Sequence, residues 1–200
     1  MNILCLDLEG VLVPEVWQAV AQASGVDDLL KTTRDIPVYD DLMQYRLRLL
    51  DQHGIGYSMI KAEIDKLQPL DGAVECLSWA RRHFQVAIIS DTFYEFAEPL
   101  MEKLQRPMLL CHRLQIEDDR IVDYHIRQPD PKRASIKAFQ SLRYTVFAAG
   151  DSFNDVTMLE QAEYGFFLHA PENVCAQYPQ YPRANNHDEL RDLLWSKLEA

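Results

Sequence analysis

No two of the four cysteines, Cys5, Cys76, Cys111 and Cys175, stand at C-x-x-C spacing, and Cys5 falls inside an apolar run. Neither a disulfide framework nor a zinc site is indicated, and a reducing compartment fits. Positive charge is scarce. Twenty Lys and Arg face 31 Asp and Glu, a formal net charge of -11, which leaves no basic field for a nucleic-acid partner. No apolar run approaches membrane-spanning length, and neither a basic segment nor a long apolar segment precedes Asp7. A cytoplasmic protein without a membrane partner is expected. Internal repeats and low-complexity tracts are also missing. What the chain does have is a hydrophobic content of 48% over 200 residues, enough for one buried core and a small accessory module.

The organising stretch is Ile3-Leu4-Cys5-Leu6 followed by Asp7-Leu8-Glu9-Gly10. An uninterrupted apolar run that ends in an acid, skips a residue and offers a second acid reads as a buried strand presenting carboxylates at its carboxyl end. Two later runs end alike, Val86 to Ile89 at Ser90-Asp91 and Val146 to Gly150 at Asp151. Open α/β sheets bind ligands at such edges. In Asp130-Pro131-Lys132 a lysine falls in the first turn of a helix, where the macrodipole disfavours a cation unless an anion is near.

Between the first two strands the periodicity predicts three helices. The first carries Val16, Trp17, Val20 and Ala23 and ends at Gly25; the second covers 40–51, with Arg46 inside the stripe Tyr39, Met43, Leu47 and Leu50; the third covers 58–67 with Ser58 as N-cap. After Pro69, Asp71 is expected to cap a helix, and Thr92 with Glu95 has the spacing of a capping box. Residues 113–128 alternate around Glu117-Asp118-Asp119-Arg120 as a peripheral hairpin would. Asp130 is expected to cap a helix whose inner face is Ile136, Phe139 and Leu142. Strands separated by crossover helices imply parallel pairing. The expected class is therefore α/β, a doubly wound, mostly parallel sheet formed by residues 1–14 and 69–200, with a small helical cap at 15–68.

Asp7, Glu9, Asp151 and Asp155 would bring about four negative charges to one edge, an arrangement that calls for a cation. With only oxygen donors, that cation is expected to be Mg²⁺. A carboxylate nucleophile, a divalent metal, Lys132 and the Ser90 hydroxyl form a set suited to phosphoryl transfer through an aspartyl-phosphate. Taken singly, each acid reads more readily as a helix N-cap, Lys132 as a solvated lysine, Ser90 as a turn residue and Glu15 as a first-turn acid, while Arg46 reads equally as a snorkelling residue. Their coincidence at the ends of one sheet is what distinguishes them.

Asp7-Leu8-Glu9-Gly10-Val11, Ser90, Lys132 and the run Gly150-Asp151-Ser152-Phe153-Asn154-Asp155 resemble, in order, the four motifs of the haloacid dehalogenase-like hydrolases, and the insert resembles the cap of their phosphoserine phosphatase branch. Within that branch, the first motif together with Ser90-Asp91-Thr92 and Asp130-Pro131-Lys132-Arg133 is similar to members that also transfer the phosphoryl group to homoserine. The resemblance implies a Rossmann-like core, Asp7 as nucleophile and metal ligand, and Glu9 as acid/base whose carbonyl also meets the metal. It further implies Asp151 and Asp155 as ligands, Ser90 and Lys132 on the phosphoryl group, and Asn154 positioning it. Arg46 would meet the carboxylate of O-phosphoserine and Glu15 its ammonium group, with homoserine as a second substrate and another copy of the chain as a candidate partner. Glu9 stands where the family usually has Asp, and Asp91 where it often has Gly, so Asp91 is expected to reshape substrate contacts. A phosphoacceptor signalling domain and a silent phospho-ligand binder remain as other classes on the residues alone.

Overall fold

The computed structural model describes residues 1–32, 35–36 and 38–199. In chain order it contains β1 (Asn2–Leu6), α1 (Val16–Ser24), α2 (Tyr39–Gln52), α3 (Tyr57–Ile64), α4 (Ala73–His83), β2 (Gln85–Phe93), α5 (Tyr94–Lys103), β3 (Met108–Glu117), β4 (Arg120–His125), α6 (Pro131–Ser141), β5 (Thr145–Gly150), α7 (Val156–Gln161), β6 (Tyr164–Leu168), α8 (Glu172–Gln177), β7 (Arg183–Ala184) and α9 (His187–Leu198). Short 3-10 turns at Asp27–Leu30 and Phe153–Asp155 precede α2 and α7.

The strands form a seven-stranded sheet ordered β4-β3-β2-β1-β5-β6-β7, parallel except for the β3–β4 hairpin. Its central strand explains the apolar opening of the chain. Alternate side chains of β1 enter opposite layers, Leu4 and Leu6 on one face, Ile3 and Cys5 on the other, and all four are buried. Burying each leucine or isoleucine in this way contributes about 1.5–3 kcal/mol. Ile136, Met158 and Val174 from α6, α7 and α8 cover one face, while Cys76, Leu100 and Leu190 from α4, α5 and α9 cover the other. From β1 the chain winds outward to β4, then returns to β5 on the opposite side. The β1/β5 crevice is thus the switch point of a doubly wound sheet, where ligands bind beyond the strand ends. Leu6 pairs with Ile88 and Ala149, which sets Asp7 level with Ile89 of β2 and with Gly150, the last residue of β5.

Helices α1, α2 and α3 lie between β1 and β2, as the periodicity predicts, with Gly25 ending α1 at a φ of 70°. Several predicted caps are replaced. Gly56 holds the N-cap position of α3, and Ser58, inside the helix, donates its amide and hydroxyl to the Asp119 carboxylate at 2.6 and 2.7 Å. Gly72 rather than Asp71 precedes α4, at a φ of 81°. Thr92 does not cap α5, because β2 runs on through Phe93, and Glu95 accepts the Leu114 amide at 2.8 Å. Asp130 sits before α6 at a left-handed φ of 43°, and its carboxylate takes the Thr157 hydroxyl at 2.8 Å instead of a helix amide. Leu142 lies past the end of α6 and is 66% exposed, so Lys132, Ser135 and Ile136 form the buried face. The hairpin is not peripheral either: β3 is 10 residues long, joins the sheet at one end and reaches the insert at the other.

Two contacts fasten the insert where it leaves and re-enters the sheet. Leu70 donates its amide to the Leu12 carbonyl at 2.9 Å. His187, the first residue of α9, places Nδ1 and Nε2 each 2.9 Å from a carbonyl, those of Asp71 and Val11. A further contact meets a local need of α5. Pro99 removes the amide that would reach the Glu95 carbonyl, and the Tyr57 hydroxyl of α3 donates there at 2.8 Å.

Candidate active site

Asp7 is delivered by β1 and donates its amide to the Ala149 carbonyl of β5 at 3.1 Å. The chain then turns at Gly10, whose φ is 75°; a Cβ there would lie 2.6 Å from an Asp151 carboxylate oxygen. Only glycine lets the first loop pass so close to the end of β5. Glu9 reaches the other way, its Oε2 accepting the Val16 amide at the start of α1 at 2.9 Å, so the positive end of that helix holds the carboxylate.

Behind Asp7 lies Lys132, 2% exposed, on the first turn of α6. Its Nζ is 2.6 Å from Asp155, 3.0 Å from Asp7 and 3.8 Å from Asp91. Burial alone would lower the ammonium pKa, but Asp155, Asp7 and Asp91 outweigh it and hold it well above the usual lysine value. The anion that the cation at this helix start requires is therefore present. Asp155 is fully buried; its second oxygen accepts the amides of Asp151 and Ser152 at 2.9 and 3.0 Å, which folds the loop after β5 onto the lysine.

Negative charge still exceeds positive. Asp7, Asp151 and Asp155 each offer an oxygen within 4.8 Å of the others. Burial pushes the Asp7 carboxyl well above the usual range, with Lys132 opposing and the neighbouring acids adding to the rise. Burial and then Asp155 push Asp151 up to about 7. Burial and like charge thus hold two of these three oxygen-donor carboxyls above their usual range, a strain that a hard divalent cation among them would relieve.

A cavity of about 660 Å³ opens over these residues, lined by Asp7, Glu9, Ser90, Asp91, Asp151, Asn154 and, from the insert, Glu15, Trp17, Tyr39, Leu42 and Arg46. Of the residues singled out in the sequence, Lys132 and Asp155 lie behind its floor and the other eight face it. Ser90, within β2, is 4% exposed. Burial would raise the Asp91 carboxyl, yet Lys132, the nearby His112 ring and a hydrogen bond from Asn154 hold it down to about 2. Asn154 Nδ2 donates to Asp91 at 3.0 Å. Across the cavity, Arg46 is 8% exposed, lies 4.4 Å over the Trp17 ring and donates from Nη2 to the Lys31 carbonyl at 2.9 Å. Its Nε has no partner among the described residues. Desolvation drops its pKa to about 10. A buried guanidinium with a free donor, at the wall of a cavity, is poised for an anion. Glu15 is pushed up to about 8, first by burial and then by Glu9 and Asp151.

The model of the family described as "Hydrolase: haloacid dehalogenase-like hydrolase" matches residues 1–163. The chain is 57% identical over 192 residues to phosphoserine phosphatase ThrH of Pseudomonas aeruginosa, covering 96% of this chain and 94% of that one. The chain belongs to the haloacid dehalogenase-like hydrolases. A second relative in this hydrolase family, phosphoserine phosphatase of Pseudomonas syringae pv. tomato, is 56% identical over 96% of this chain and 81% of its own. Among solved structures, a phospho-aspartyl intermediate analogue of phosphoserine phosphatase superposes with a TM-score of 0.80 over 98% of both chains, at 19% identity, and so shares the hydrolase fold.

Three participants in this hydrolase site were not legible in the sequence. Trp17 provides the face under Arg46. Tyr39, read only as an apolar-stripe residue, donates its hydroxyl to the Asp91 carbonyl at 2.9 Å. His112, 2% exposed, accepts the Arg127 amide on Nδ1 and stands with Nε2 3.7 Å from Asp91. The neutral ring therefore carries its proton on Nε2, facing the carboxylate. Each of these contacts depends on long-range packing that no local spacing announces.

Proposed function

We propose that this enzyme is a Mg²⁺-dependent phosphatase for O-phosphoserine that works through a phosphorylated Asp7 and also passes the phosphoryl group to homoserine. The observation that carries the reading is Asp7 itself, buried at the switch point with Lys132 3.0 Å behind it and Asp151 beside it. Relatives more than half identical over nearly the whole chain bear the name phosphoserine phosphatase, which supports the substrate.

Asp7, Asp151 and Asp155, with the Glu9 carbonyl, would hold Mg²⁺, and the oxygen-only donor set and the surplus of buried negative charge fit it. When bound, the ion would neutralise phosphate charge and keep the Asp7 carboxylate ionised. One Asp7 oxygen attacks phosphorus, and Lys132 and the Ser90 hydroxyl stabilise the equatorial oxygens. Glu9, held by the Val16 amide, hands a proton to the departing serine oxygen and later takes one from the attacking water or alcohol. Asn154, braced on Asp91, positions the phosphate. Arg46 would take the substrate carboxylate on its unpartnered Nε, and the substrate ammonium would draw Glu15 into its ionised form. Residues 15–68 serve as the cap that carries those two contacts. Homoserine has the same two charged ends, so it can be held against phospho-Asp7 in competition with water.

The test is phosphorus NMR of products from phosphoserine and Mg²⁺, with and without homoserine. Mg²⁺-dependent inorganic phosphate is expected alone, and phosphohomoserine in addition when homoserine is present. Inorganic phosphate only, at saturating homoserine, would remove the transferase half.

A further inference from the structure

Helix α2 carries roof residues of the cavity on one face. Tyr39, Leu42 and Arg46 stand at i, i+3 and i+7, and all three line the space over Asp7. The helical rise puts Tyr39 about 10 Å from Arg46 along the axis. Arg46 is fastened within the insert, by its stack on Trp17 and its bond to the Lys31 carbonyl. Tyr39 is fastened to the sheet. Its hydroxyl donates from roof to floor, to the Asp91 carbonyl of β2 at 2.9 Å.

The acceptor is a fixed point of the floor. The register of β2 against β3 shifts between Ile89 and Phe93, so the Asp91 peptide lies where the regular ladder is interrupted and a donor from another element can serve its carbonyl. The Asp91 side chain is anchored as well: Asn154 Nδ2 donates to it at 3.0 Å, and Lys132 Nζ stands 3.8 Å away. Ser90, the residue before it, lines the same cavity. On the donor side, the Tyr39 ring meets the His112 ring edge-on at 6.1 Å. Burial, and then the Asp91 charge, push the Tyr39 hydroxyl well above the usual tyrosine value, so it stays a proton donor.

We propose that Tyr39 is a positioning residue: by tying the start of α2 to the Asp91 peptide, it sets the distance from the phosphoryl site on the floor to Arg46 on the roof, and so selects substrates with an amino-acid end. This rests on the reading of Arg46 as the contact for the substrate carboxylate. A substrate that must reach Asp7 and Arg46 together depends on that distance, and a small phosphate without the carboxylate does not. A second bond of the same kind provides the comparison. Tyr57 of α3 also donates its hydroxyl from the insert to a backbone carbonyl, that of Glu95 in α5, at 2.8 Å, but it is not a wall residue of the cavity. Tyr124 of β4 holds the same end of α2 through Asp40, so the helix stays docked when the Tyr39 hydroxyl is removed.

The experiment compares two hydroxyl deletions. Tyr39→Phe removes the donor and keeps the ring, and Tyr57→Phe does the same at the remote bond. Tyr39→Phe is expected to raise KM for phosphoserine about fivefold, the scale of one neutral hydrogen bond, with kcat nearly kept and a small aryl phosphate used almost as before. Tyr57→Phe should leave the preference between the two substrates unchanged, whatever it does to the melting temperature. In an Arg46→Ala background, Tyr39→Phe should add little further loss on phosphoserine, because both changes act on one contact. Equal losses on both substrates, an equal shift of preference in Tyr57→Phe, or full additivity with Arg46→Ala would overturn the proposal. If Arg46→Ala alone spares phosphoserine, the carboxylate reading of Arg46 fails, and Tyr39→Phe then decides by itself: selective loss on phosphoserine upholds the hydroxyl's part in substrate selection, and no loss overturns it.

Discussion

Lys132 shows what one residue does here. Its ammonium is shut from water and shared among Asp155, Asp7 and Asp91, so on the proposed function it would act twice, once on the fold and once on the chemistry. Replacing it with methionine keeps the bulk of the chain but strands three carboxylates, a loss on the order of 3–5 kcal/mol for a buried partner removed. The same change takes a fixed charge from the transition state, worth about 10²-fold in rate or more. We expect Lys132→Met to melt below the wild type in chelator and to gain more than the wild type from added Mg²⁺, since the ion offsets the same negative charge. Thermal melts with and without Mg²⁺ test this, and an equal gain in both proteins would contradict it. The sequence disclosed this residue because a lysine at a helix start breaks a local rule. It did not disclose His112, which breaks none.

At the scale of elements, most strands and helices followed from periodicity, and the commonest errors were at caps. Ser58, Asp71, Thr92 and Asp130 have the right chemistry to cap a helix, yet none does so. For Ser58, Asp71 and Asp130, atoms of other elements enter instead: Asp119 meets Ser58, His187 meets the Asp71 carbonyl and Thr157 meets the Asp130 carboxylate. Thr92 remains in β2. Composition favours a cap locally, and tertiary contacts reassign it. His187 is the most consequential of these contacts, because it touches carbonyls on both links between sheet and insert. A carbonyl offers no proton, so the neutral ring satisfies one of the two. Burial lowers the His187 pKa from its ordinary value of 6.5, with the charge of nearby His169 adding to it and the two carbonyls and Asp188 opposing. The unfolded chain therefore binds more protons in the window below about pH 6.5, and stability falls as the pH drops through it. His187→Gln should flatten that fall in denaturant titrations run from about pH 7.5 to about 5.5. An unchanged slope would mean that other groups set it.

For the molecule as a whole, the doubly wound, mostly parallel sheet was readable because strand ends carried acids and crossovers forced parallel pairing. The floor of the site was readable for the same reason: Asp7, Ser90 and Asp151 each end an apolar run. The roof was not. Arg46 was visible as a charge in an apolar stripe, but Trp17 and Tyr39 belong to it only through contacts between distant parts of the chain. On the proposed function, the whole arrangement, sheet below and insert above with a cavity between, would hold one phosphoryl group on one carboxylate. The most direct measurement is mass spectrometry of enzyme quenched in acid during turnover of phosphoserine with Mg²⁺. The account predicts one added phosphoryl group on the peptide bearing Asp7, absent with chelator and absent in Asp7→Asn, which should also release no phosphate. An active enzyme whose Asp7 peptide stays unmodified, or an Asp7→Asn variant that still turns over, would contradict it.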